Sequence, residues 1–479
     1  MNTERISLKD VNPNLIKAEY AIRGAIVAKA NEMETMLRRG ASLPFDKLVY
    51  CNIGNPQSLK QKPITFLRQV LACACYPDLM AINPPLFPSD VVERVQAFLK
   101  SNPGGTGAYS KSQGTDMVVK DVANFIGERD GYPCDPSCIY ITNGASHAIQ
   151  NCLSMFISSK ADGVLLPIPQ YPLYSATITL YGGSQVHYYL DESNGWSMSM
   201  ESCRQSIQQA KQNNIHVKAI VVINPGNPTG KCFSRQIMEE LIEFCIEENI
   251  ILFADEVYQA NIYNQETPFI SFRKVALDMG ERGRNLQMIS FHSISKGFFG
   301  ECGRRGGYLQ TQGLDSEVRA QLTKLMSISL CSNLDGQLAI DVMVNPPKKG
   351  QPSYELYEKE KNDILDSLSR RAKKLQSALS KLEGITCQTI DSSLYCFFNM
   401  KLPEKAILAA KECNMAPDAF YCMQLLENTG IVTVAGSGFG QVKDSYHVRM
   451  TILPPEEDID EVVNRISLYH QKFLKQYSN

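Results

Sequence analysis

Two kinds of apolar pattern alternate along the central part of the chain. Short, continuous apolar runs rich in β-branched residues occur at Ile139–Thr142, Gly163–Leu166, Ala219–Ile223, Ile250–Ala254 and Leu286–Phe291. Segments with helical periodicity, such as Arg235–Asn249, separate most of these runs. Continuous apolar strands that alternate with helices predict an α/β fold with a mostly parallel sheet, covered by helices on both faces.

Longer helical patterns lie towards the two ends of the chain. Residues 13–40 carry an apolar stripe, which predicts a single helix. Residues 354–383 repeat leucine and alanine at intervals of three and four, and Gly384 can end the predicted helix. The proline-rich stretch 345–353 before it indicates a domain boundary.

The length of 479 residues exceeds what one hydrophobic core supports, so two or three domains are expected. We predict an N-terminal helix and joining segment over 1–85, a large α/β domain over 86–350 and a small C-terminal α/β domain over 351–479. The formal net charge of −2 gives no electrostatic case for binding nucleic acid or an anionic membrane. No apolar run is long enough to predict a membrane span.

The first residues, MNTERISLKD, contain no apolar signal region, and their acidic residues argue against a transit peptide. The last residues, QYSN, do not form a peroxisomal signal, and we therefore expect a cytoplasmic protein. The 15 cysteines are scattered and odd in number, which is typical of reduced thiols. Neither they nor the 6 histidines show metal-ligand spacing, so no metal site is expected.

The segment SISKGFFGECGRRGG, residues 293–307, places one lysine in a turn after the last apolar run. Lys296 could form a Schiff base with an aldehyde, and the hydroxyls and guanidinium groups close by could hold a phosphate. Pyridoxal phosphate, an aldehyde that carries a phosphate, requires both features. The alternative is a solvated lysine in a surface turn.

Further polar segments follow other apolar runs, at the strand ends where open α/β sheets bind ligands. The segment NGAS, residues 143–146, opens a helix, so its backbone N–H groups and the Ser146 hydroxyl could hold a phosphate. A simple helix cap by Ser146 is the alternative. The segment NPGNPTG, residues 224–230, predicts a stiff turn that offers the Asn227 amide at a defined point.

The segment ADEVY, residues 254–258, supplies two groups suited to a pyridine ring. Asp255 could pair with a protonated ring nitrogen and make the ring a better electron sink, and Tyr258 could hydrogen-bond a ring hydroxyl. A helix cap is the alternative for Asp255. Tyr171, which follows the run Gly163–Leu166, could stack on a planar ring.

Arg449 is an unusual residue within the apolar run His447–Leu453. A buried arginine requires a partner, and a substrate carboxylate can be one in a bidentate geometry. The alternative is an internal salt bridge.

The motifs NGAS, NPGNPTG, DEVY and SISKGFFGECGRRGGY resemble those of the fold-type-I pyridoxal-phosphate aminotransferases. Within that family the segments CNIGNPQSLKQKPITFLRQVL, GAYSKSQG and VRMTILP resemble the alanine aminotransferase subfamily. The resemblance extends over residues 12 to 470. It implies a large cofactor-binding domain with a mostly parallel sheet and a smaller α/β domain.

The resemblance also implies a role for each candidate residue. Lys296 would carry the cofactor and move the substrate proton, and Asp255 would pair with the pyridine nitrogen. Further cofactor contacts are implied for Ala145, Ser146, Tyr171, Asn227, Tyr258, Ser293 and Arg305, and for Tyr109 from the neighbouring subunit. Arg449 would bind the substrate α-carboxylate in a pocket that Gly54 and Asn227 also line. Arg304 stands where relatives carry an aromatic residue, so two arginines compete for the phosphate, and the family register favours Arg305.

By this resemblance the protein is a homodimer that transfers the amino group of L-alanine to 2-oxoglutarate, giving pyruvate and L-glutamate in a ping-pong reaction. A glutamate–glyoxylate aminotransferase, with the same chemistry, is the nearest alternative. A pyridoxal-phosphate lyase is a different reaction class on a similar site. A non-catalytic regulator of this fold would need a DNA-binding extension, and the first 50 residues contain no basic patch or helix-turn-helix pattern.

Overall fold

The computed structural model describes residues 5–478. Its strands are β1 (Val49–Tyr50), β2 (Ile139–Thr142), β3 (Asp162–Ile168), β4 (Ser184–Tyr189), β5 (His216–Ile223), β6 (Ile251–Asp255), β7 (Met288–Ser293), β8 (Gly307–Gln312), β9 (Ile385–Cys387), β10 (Tyr395–Met400), β11 (Ile431–Val432), β12 (Val434–Ala435) and β13 (His447–Thr451).

Its α-helices are α1 (Pro13–Lys17), α2 (Ala25–Arg38), α3 (Thr65–Cys75), α4 (Ser89–Ser101), α5 (Asp116–Asp130), α6 (Ala145–Phe156), α7 (Pro172–Leu180), α8 (Met200–Gln212), α9 (Arg235–Glu248), α10 (Phe272–Asp278), α11 (Glu281–Arg284), α12 (Ser316–Ile328), α13 (Leu334–Val344), α14 (Tyr354–Leu379), α15 (Glu404–Glu412), α16 (Pro417–Thr429) and α17 (Ile459–Tyr477). No helix among the described residues is both long and apolar enough to cross a membrane.

The large sheet has the strand order β2-β8-β7-β6-β5-β3-β4. Strand β8 runs antiparallel to both of its neighbours, and the other pairs are parallel. The predicted mostly parallel sheet is therefore confirmed, although the sequence patterns did not identify β4 and β8. Because β2, β3, β5, β6 and β7 point the same way, their carboxyl ends meet at one edge, where the candidate segments begin.

Both faces of the large sheet are buried, because neighbouring residues on a strand point to opposite faces. On one face Val221 of β5 packs in the same apolar cluster as Ile149 of α6 and Ile178 of α7. On the other face Val222 packs in the cluster that contains Leu241 of α9. A fully buried valine or leucine side chain contributes roughly 1.5–3 kcal/mol to stability, so this continuous apolar pattern fixes the sheet between two helical layers.

The small sheet is antiparallel, with the order β12-β13-β10-β9. It shares one apolar cluster with helices α14 to α17. A separate parallel pair, β1 with β11, connects the N-terminal segment to this part of the molecule. The boundaries predicted at residues 85 and 350 remain a prediction, since the sheets do not by themselves define where one domain ends.

The single helix predicted over residues 13–40 is wrong, because α1 ends at Lys17 and α2 starts at Ala25. Between them the Tyr20 hydroxyl lies 3.1 Å from that of Tyr171. Ile22 is buried against the main cavity. The chain thus leaves the helical path to bring Tyr20 to Tyr171 and to bury Ile22, and tertiary contacts override a continuous apolar stripe.

Candidate active site

A cavity of about 500 Å³ lies where the carboxyl edge of the large sheet meets the small sheet. The following predicted site residues line it: Gly54, Ala145, Ser146, Tyr171, Asn227, Asp255, Tyr258, Ser293, Lys296, Arg305 and Arg449. Tyr109 does not, and its side chain is 74% exposed at the surface. The structure therefore brings together every candidate that was expected to act within one chain.

One end of the cavity has the properties of an anion site. Helix α6 begins at Ala145 without a side-chain cap, and the N-terminus of a helix attracts negative charge. The Arg305 guanidinium lies over this helix start, with Nη2 3.4 Å from the Ser146 hydroxyl. Gly144 adopts φ +84°, and a Cβ there would lie 2.4 Å from Arg305 Nη2. Only glycine leaves room for this close approach.

Two further serines complete the anion site. The Ser293 hydroxyl donates to the Ser295 hydroxyl at 3.0 Å, and Arg305 Nη1 lies 3.5 Å from the same Ser295 oxygen. Arg304 instead faces Glu301, with Nε 3.7 Å from its carboxylate, and does not line the cavity. Of the two adjacent arginines, Arg305 is the one that lies at the anion site. Ser295 also lines the cavity, although sequence analysis did not select it.

A buried carboxylate occupies the middle of the cavity. Asp255 ends β6, and the Tyr174 hydroxyl donates to its Oδ2 at 2.9 Å. Burial raises the pKa of Asp255 to about 6, against the opposing effects of the Tyr174 hydrogen bond and the nearby Lys296 charge. A cationic ring nitrogen beside this carboxylate would compensate its lost hydration and favour the charged form.

Lys296 projects into the cavity from the turn that follows β7. Its Nζ donates to the Gly54 carbonyl at 2.8 Å, and lies 5.9 Å from the centre of the Tyr258 ring. Within residues 5–478 no carboxylate lies at ion-pair distance from this nitrogen. A Cβ on Gly54 would lie only 2.9 Å from Nζ, so a larger residue there would displace the amine. Lys296 therefore lines a cavity and is not a solvated lysine in a surface turn.

Arg449 lies opposite, within β13 of the small sheet, and its side chain is completely buried (0% exposed). Its Nη1 donates to Asn227 Oδ1 at 3.0 Å, and its Nη2 donates to the Asn52 carbonyl. Its Nε has no hydrogen-bond partner in the described part of the chain. No internal salt bridge satisfies this guanidinium there, so a carboxylate ligand would supply the missing acceptor.

These groups fit pyridoxal phosphate. The uncapped helix start with Arg305 and the serines suits a phosphate, the buried Asp255 suits a ring nitrogen, and Lys296 suits an aldehyde. The start of α6 has no side-chain cap, and the buried Arg449 Nε has no partner among the described residues, so both are open to an anionic ligand. The roles of the individual residues remain a prediction.

Two further tyrosines contact the candidate residues, and sequence analysis missed both of them. Tyr174, in the segment PIPQYPLY, contacts Asp255, and its place one helical turn after Tyr171 was an available signal. Tyr395 lines the cavity from β10. No strand-end motif marks Tyr395, because it belongs to an apolar strand of the small sheet.

Comparison with known proteins agrees with this arrangement. Residues 79–466 match the family described as aminotransferase class I and II. The probable mitochondrial alanine aminotransferase of Dictyostelium discoideum is 48% identical over 98% of this chain and 90% of its own length. The mitochondrial alanine aminotransferase 1 of Arabidopsis thaliana is 47% identical over 98% of this chain and 88% of its own length. Glutamate–glyoxylate aminotransferase 1 of the same plant is 43% identical, with 100% and 98% covered.

A solved structure supports the fold. The alanine aminotransferase of Pyrococcus furiosus aligns with a TM-score of 0.76 and 23% identity, covering 96% of this chain and 100% of that protein. The predicted fold-type-I architecture is confirmed. The expected cytoplasmic location is wrong, since the Dictyostelium relative and one of the Arabidopsis relatives are named as mitochondrial proteins.

Proposed function

The chain belongs to the class I and II aminotransferases, and we propose that it transfers the amino group of L-alanine to 2-oxoglutarate, giving pyruvate and L-glutamate. The observation that carries this proposal is the buried, incompletely bonded Arg449, which faces Lys296 across the cavity. All four compounds share an α-carboxylate next to the reacting carbon, and a guanidinium is well suited to it. Relatives named alanine aminotransferase, at 47–48% identity, favour this substrate pair.

Pyridoxal phosphate is the cofactor of this family. When bound, it supplies an aldehyde that accepts the amino group and a ring that disperses the negative charge left at the substrate Cα. Arg305, Ser146, Ser293 and the start of α6 would hold its phosphate. Asp255 would stabilise a protonated ring nitrogen, and the nearby Tyr171 and Tyr258 would fix the position of the ring.

Lys296 and Arg449 have different roles towards the substrate. Arg449, supported by Asn227, binds the α-carboxylate and thereby orients the Cα–H bond. Lys296 Nζ, which has no carboxylate at ion-pair distance within residues 5–478, removes that proton and returns it. The complete burial of Arg449 strengthens its electrostatic contact with a carboxylate.

We also propose that the enzyme acts as a homodimer. Tyr109 is 74% exposed and lies outside the cavity of its own chain, as expected for a residue that serves the site of a neighbouring copy. In this arrangement Tyr109 of the partner subunit would reach the phosphate. Light scattering during gel filtration measures the assembly, and a monomeric mass for the active enzyme would contradict this part of the proposal.

Steady-state rates over a panel of amino donors and oxo acids test the function. We expect the highest kcat/KM for alanine with 2-oxoglutarate, and for pyruvate with glutamate in reverse. A wild-type enzyme that reacts with neither pair would contradict the proposal.

The second candidate is a glutamate–glyoxylate aminotransferase, because a relative with that name is 43% identical over the full chain. The same panel separates the two candidates. A kcat/KM for glyoxylate as acceptor that exceeds the value for 2-oxoglutarate or pyruvate by tenfold or more would favour this second candidate.

A further inference from the structure

Tyr395 is the first residue of β10, and it reaches the cavity from the small sheet. Its backbone pairs with Thr451, two residues beyond Arg449 on the neighbouring strand β13. The side chain is buried, with only 3% of its surface exposed. It contacts Arg449 of the small sheet and Tyr258, which follows β6 of the large sheet.

The ring of Tyr395 is in contact with Arg449. The guanidinium carbon lies 4.1 Å from the centre of this ring and 4.6 Å from that of Phe439. A guanidinium over an aromatic face is attracted to it, and the attraction increases when water is excluded. The two rings therefore restrict the orientation of Arg449, whose hydrogen bonds alone leave Nε without a partner.

The hydroxyl of Tyr395 and the Lys296 amine lie beside the same residue, Gly54. A Cβ on Gly54 would lie 2.6 Å from the Tyr395 hydroxyl and 2.9 Å from Lys296 Nζ. The Tyr395 hydroxyl also accepts a hydrogen bond from the Tyr258 hydroxyl at 3.3 Å. Both polar atoms therefore lie on the same side of Gly54, in the cavity that Arg449 also lines.

The charges around this hydroxyl act on it strongly. Burial raises the pKa of Tyr395, but the cations Lys296 and Arg449 together with the Tyr258 hydrogen bond more than offset it, so that the pKa lies below the usual tyrosine value. The other titratable groups that act on it or are acted on by it are the Cys302 thiol, which works in the opposite direction, and the Tyr258 and Tyr171 phenols. The phenol is thus coupled to the amine and to the guanidinium.

We propose that Tyr395 is a positioning residue that the small sheet contributes to both halves of the reaction. Its ring holds Arg449 for the α-carboxylate, and its hydroxyl holds the Lys296 amine in place for proton transfer. The proposal rests on the aminotransferase reaction proposed above. The ring and the hydroxyl can be removed separately, so the two effects can be distinguished.

The test compares Tyr395→Phe and Tyr395→Leu as purified holoenzymes. Tyr395→Phe keeps the ring, so the KM values and the Kd of propanoate, a carboxylate without an amino group, should stay within about twofold, while kcat falls about tenfold. An alkaline-side ionisation in the pH profile of kcat/KM, and in the visible absorbance of the bound cofactor, should disappear. Tyr395→Leu should in addition weaken propanoate binding about fivefold, because the face over Arg449 is lost.

Tyr263→Phe is the matched control. Tyr263 is also a buried tyrosine, its hydroxyl donates to the Ser393 carbonyl, and it does not line the cavity. We expect its kcat, pH profile and propanoate Kd to equal those of the wild type. If Tyr395→Phe matches this control in all three measurements, or if Tyr395→Leu binds propanoate as tightly as Tyr395→Phe, the proposal is wrong. A wild type without transamination would instead contradict the proposed function itself.

Discussion

The wall of the cavity from the large sheet and the wall from the small sheet are built differently. Most large-sheet contributions lie at the end of a strand or shortly after it, as Asp255 ends β6 and Lys296 follows β7. The small-sheet contributions, Tyr395 and Arg449, lie within strands β10 and β13. The first group converges because parallel strands end at one edge, and the second because two antiparallel strands are adjacent.

The two walls carry groups suited to different molecules. The large-sheet wall carries the groups suited to the cofactor, namely the anion site, Asp255 and Lys296. The small-sheet wall carries the guanidinium suited to the substrate. Variants on the first wall should therefore alter cofactor binding or the chemical step, and variants on the second should alter the recognition of every carboxylate substrate.

The largest expected effect comes from Lys296→Ala on the large-sheet wall. Loss of proton transfer should lower the rate roughly 10²–10⁴-fold, and more if the covalent link to the cofactor is also required. Single-turnover rates with alanine measure the loss. Lys211→Ala, at a surface lysine paired with Glu248 at 3.0 Å, is the control and should react normally. Borohydride treatment of the wild type followed by peptide mass spectrometry should place the cofactor on Lys296, and an adduct on another lysine would contradict the assignment.

On the small-sheet wall, Arg449→Lys should have the next largest effect. Lysine cannot reproduce the bidentate geometry, and loss of a buried charged hydrogen bond costs on the order of 2–5 kcal/mol. The kcat/KM values for alanine, glutamate and both oxo acids should fall together, while cofactor binding is retained. Arg371→Lys is the control, because Arg371 donates to the Leu453 carbonyl at 2.9 Å and does not line the cavity. A variant that loses activity with glutamate but keeps activity with alanine would show that Arg449 binds the distal carboxylate of glutamate instead.

Arg305→Gln is a substitution on the large-sheet wall. It should weaken binding of the cofactor rather than binding of the substrate. The loss of charge-assisted hydrogen bonds to a phosphate should cost about 1.5–3 kcal/mol of cofactor binding. Equilibrium dialysis with absorbance detection measures this Kd, and binding of pyridoxal without the phosphate should be unaffected. Arg304→Gln removes the neighbouring charge outside the cavity and should leave the cofactor Kd unchanged. Equal weakening by both variants would mean that the phosphate is not held by Arg305 in particular.

The smallest expected effect concerns the pH dependence of stability. Burial raises the pKa of Asp255 from 3.8 to about 6, so between these values the folded protein binds more protons than the unfolded chain. The contribution of Asp255 to the unfolding free energy of the cofactor-free protein therefore falls as pH rises through that window. Tyr174→Phe removes a hydrogen-bond donor to the carboxylate, which should raise the pKa of Asp255 further and increase this loss of unfolding free energy by about 1 kcal/mol.

Urea unfolding at a pH below this window and at a pH well above the folded pKa of about 6 measures this effect. Tyr188→Phe is the control, since its buried hydroxyl donates to the Val221 carbonyl at 2.9 Å and contacts no carboxylate. We expect the control to lose the same stability at both pH values. If Tyr174→Phe also lost the same stability at both pH values, the hydrogen bond from Tyr174 would not act on the charge of Asp255.

The sequence by itself determined the large-sheet wall in some detail. Continuous apolar runs gave β2, β5, β6 and β7 to within a few residues, because a strand buried on both faces tolerates few polar positions. The motifs at their ends then had to lie at one edge. Arg449 was also recognisable, because a charged residue in an apolar strand must have a partner.

Other features were decided only by the tertiary structure. Helix α1 ends early because Tyr20 and Ile22, which follow it, contact distant parts of the chain, and a periodic pattern contains no information about such contacts. The resemblance favoured Arg305 over Arg304, but only the structure shows that the Arg305 guanidinium lies over the start of α6 while Arg304 faces Glu301. Tyr395 looks like any aromatic residue in an apolar strand, and its contacts with Arg449 and Tyr258 exist only because the two sheets meet. Local pattern thus specifies which groups a strand presents, and the packing of one sheet against the other specifies which of those groups meet.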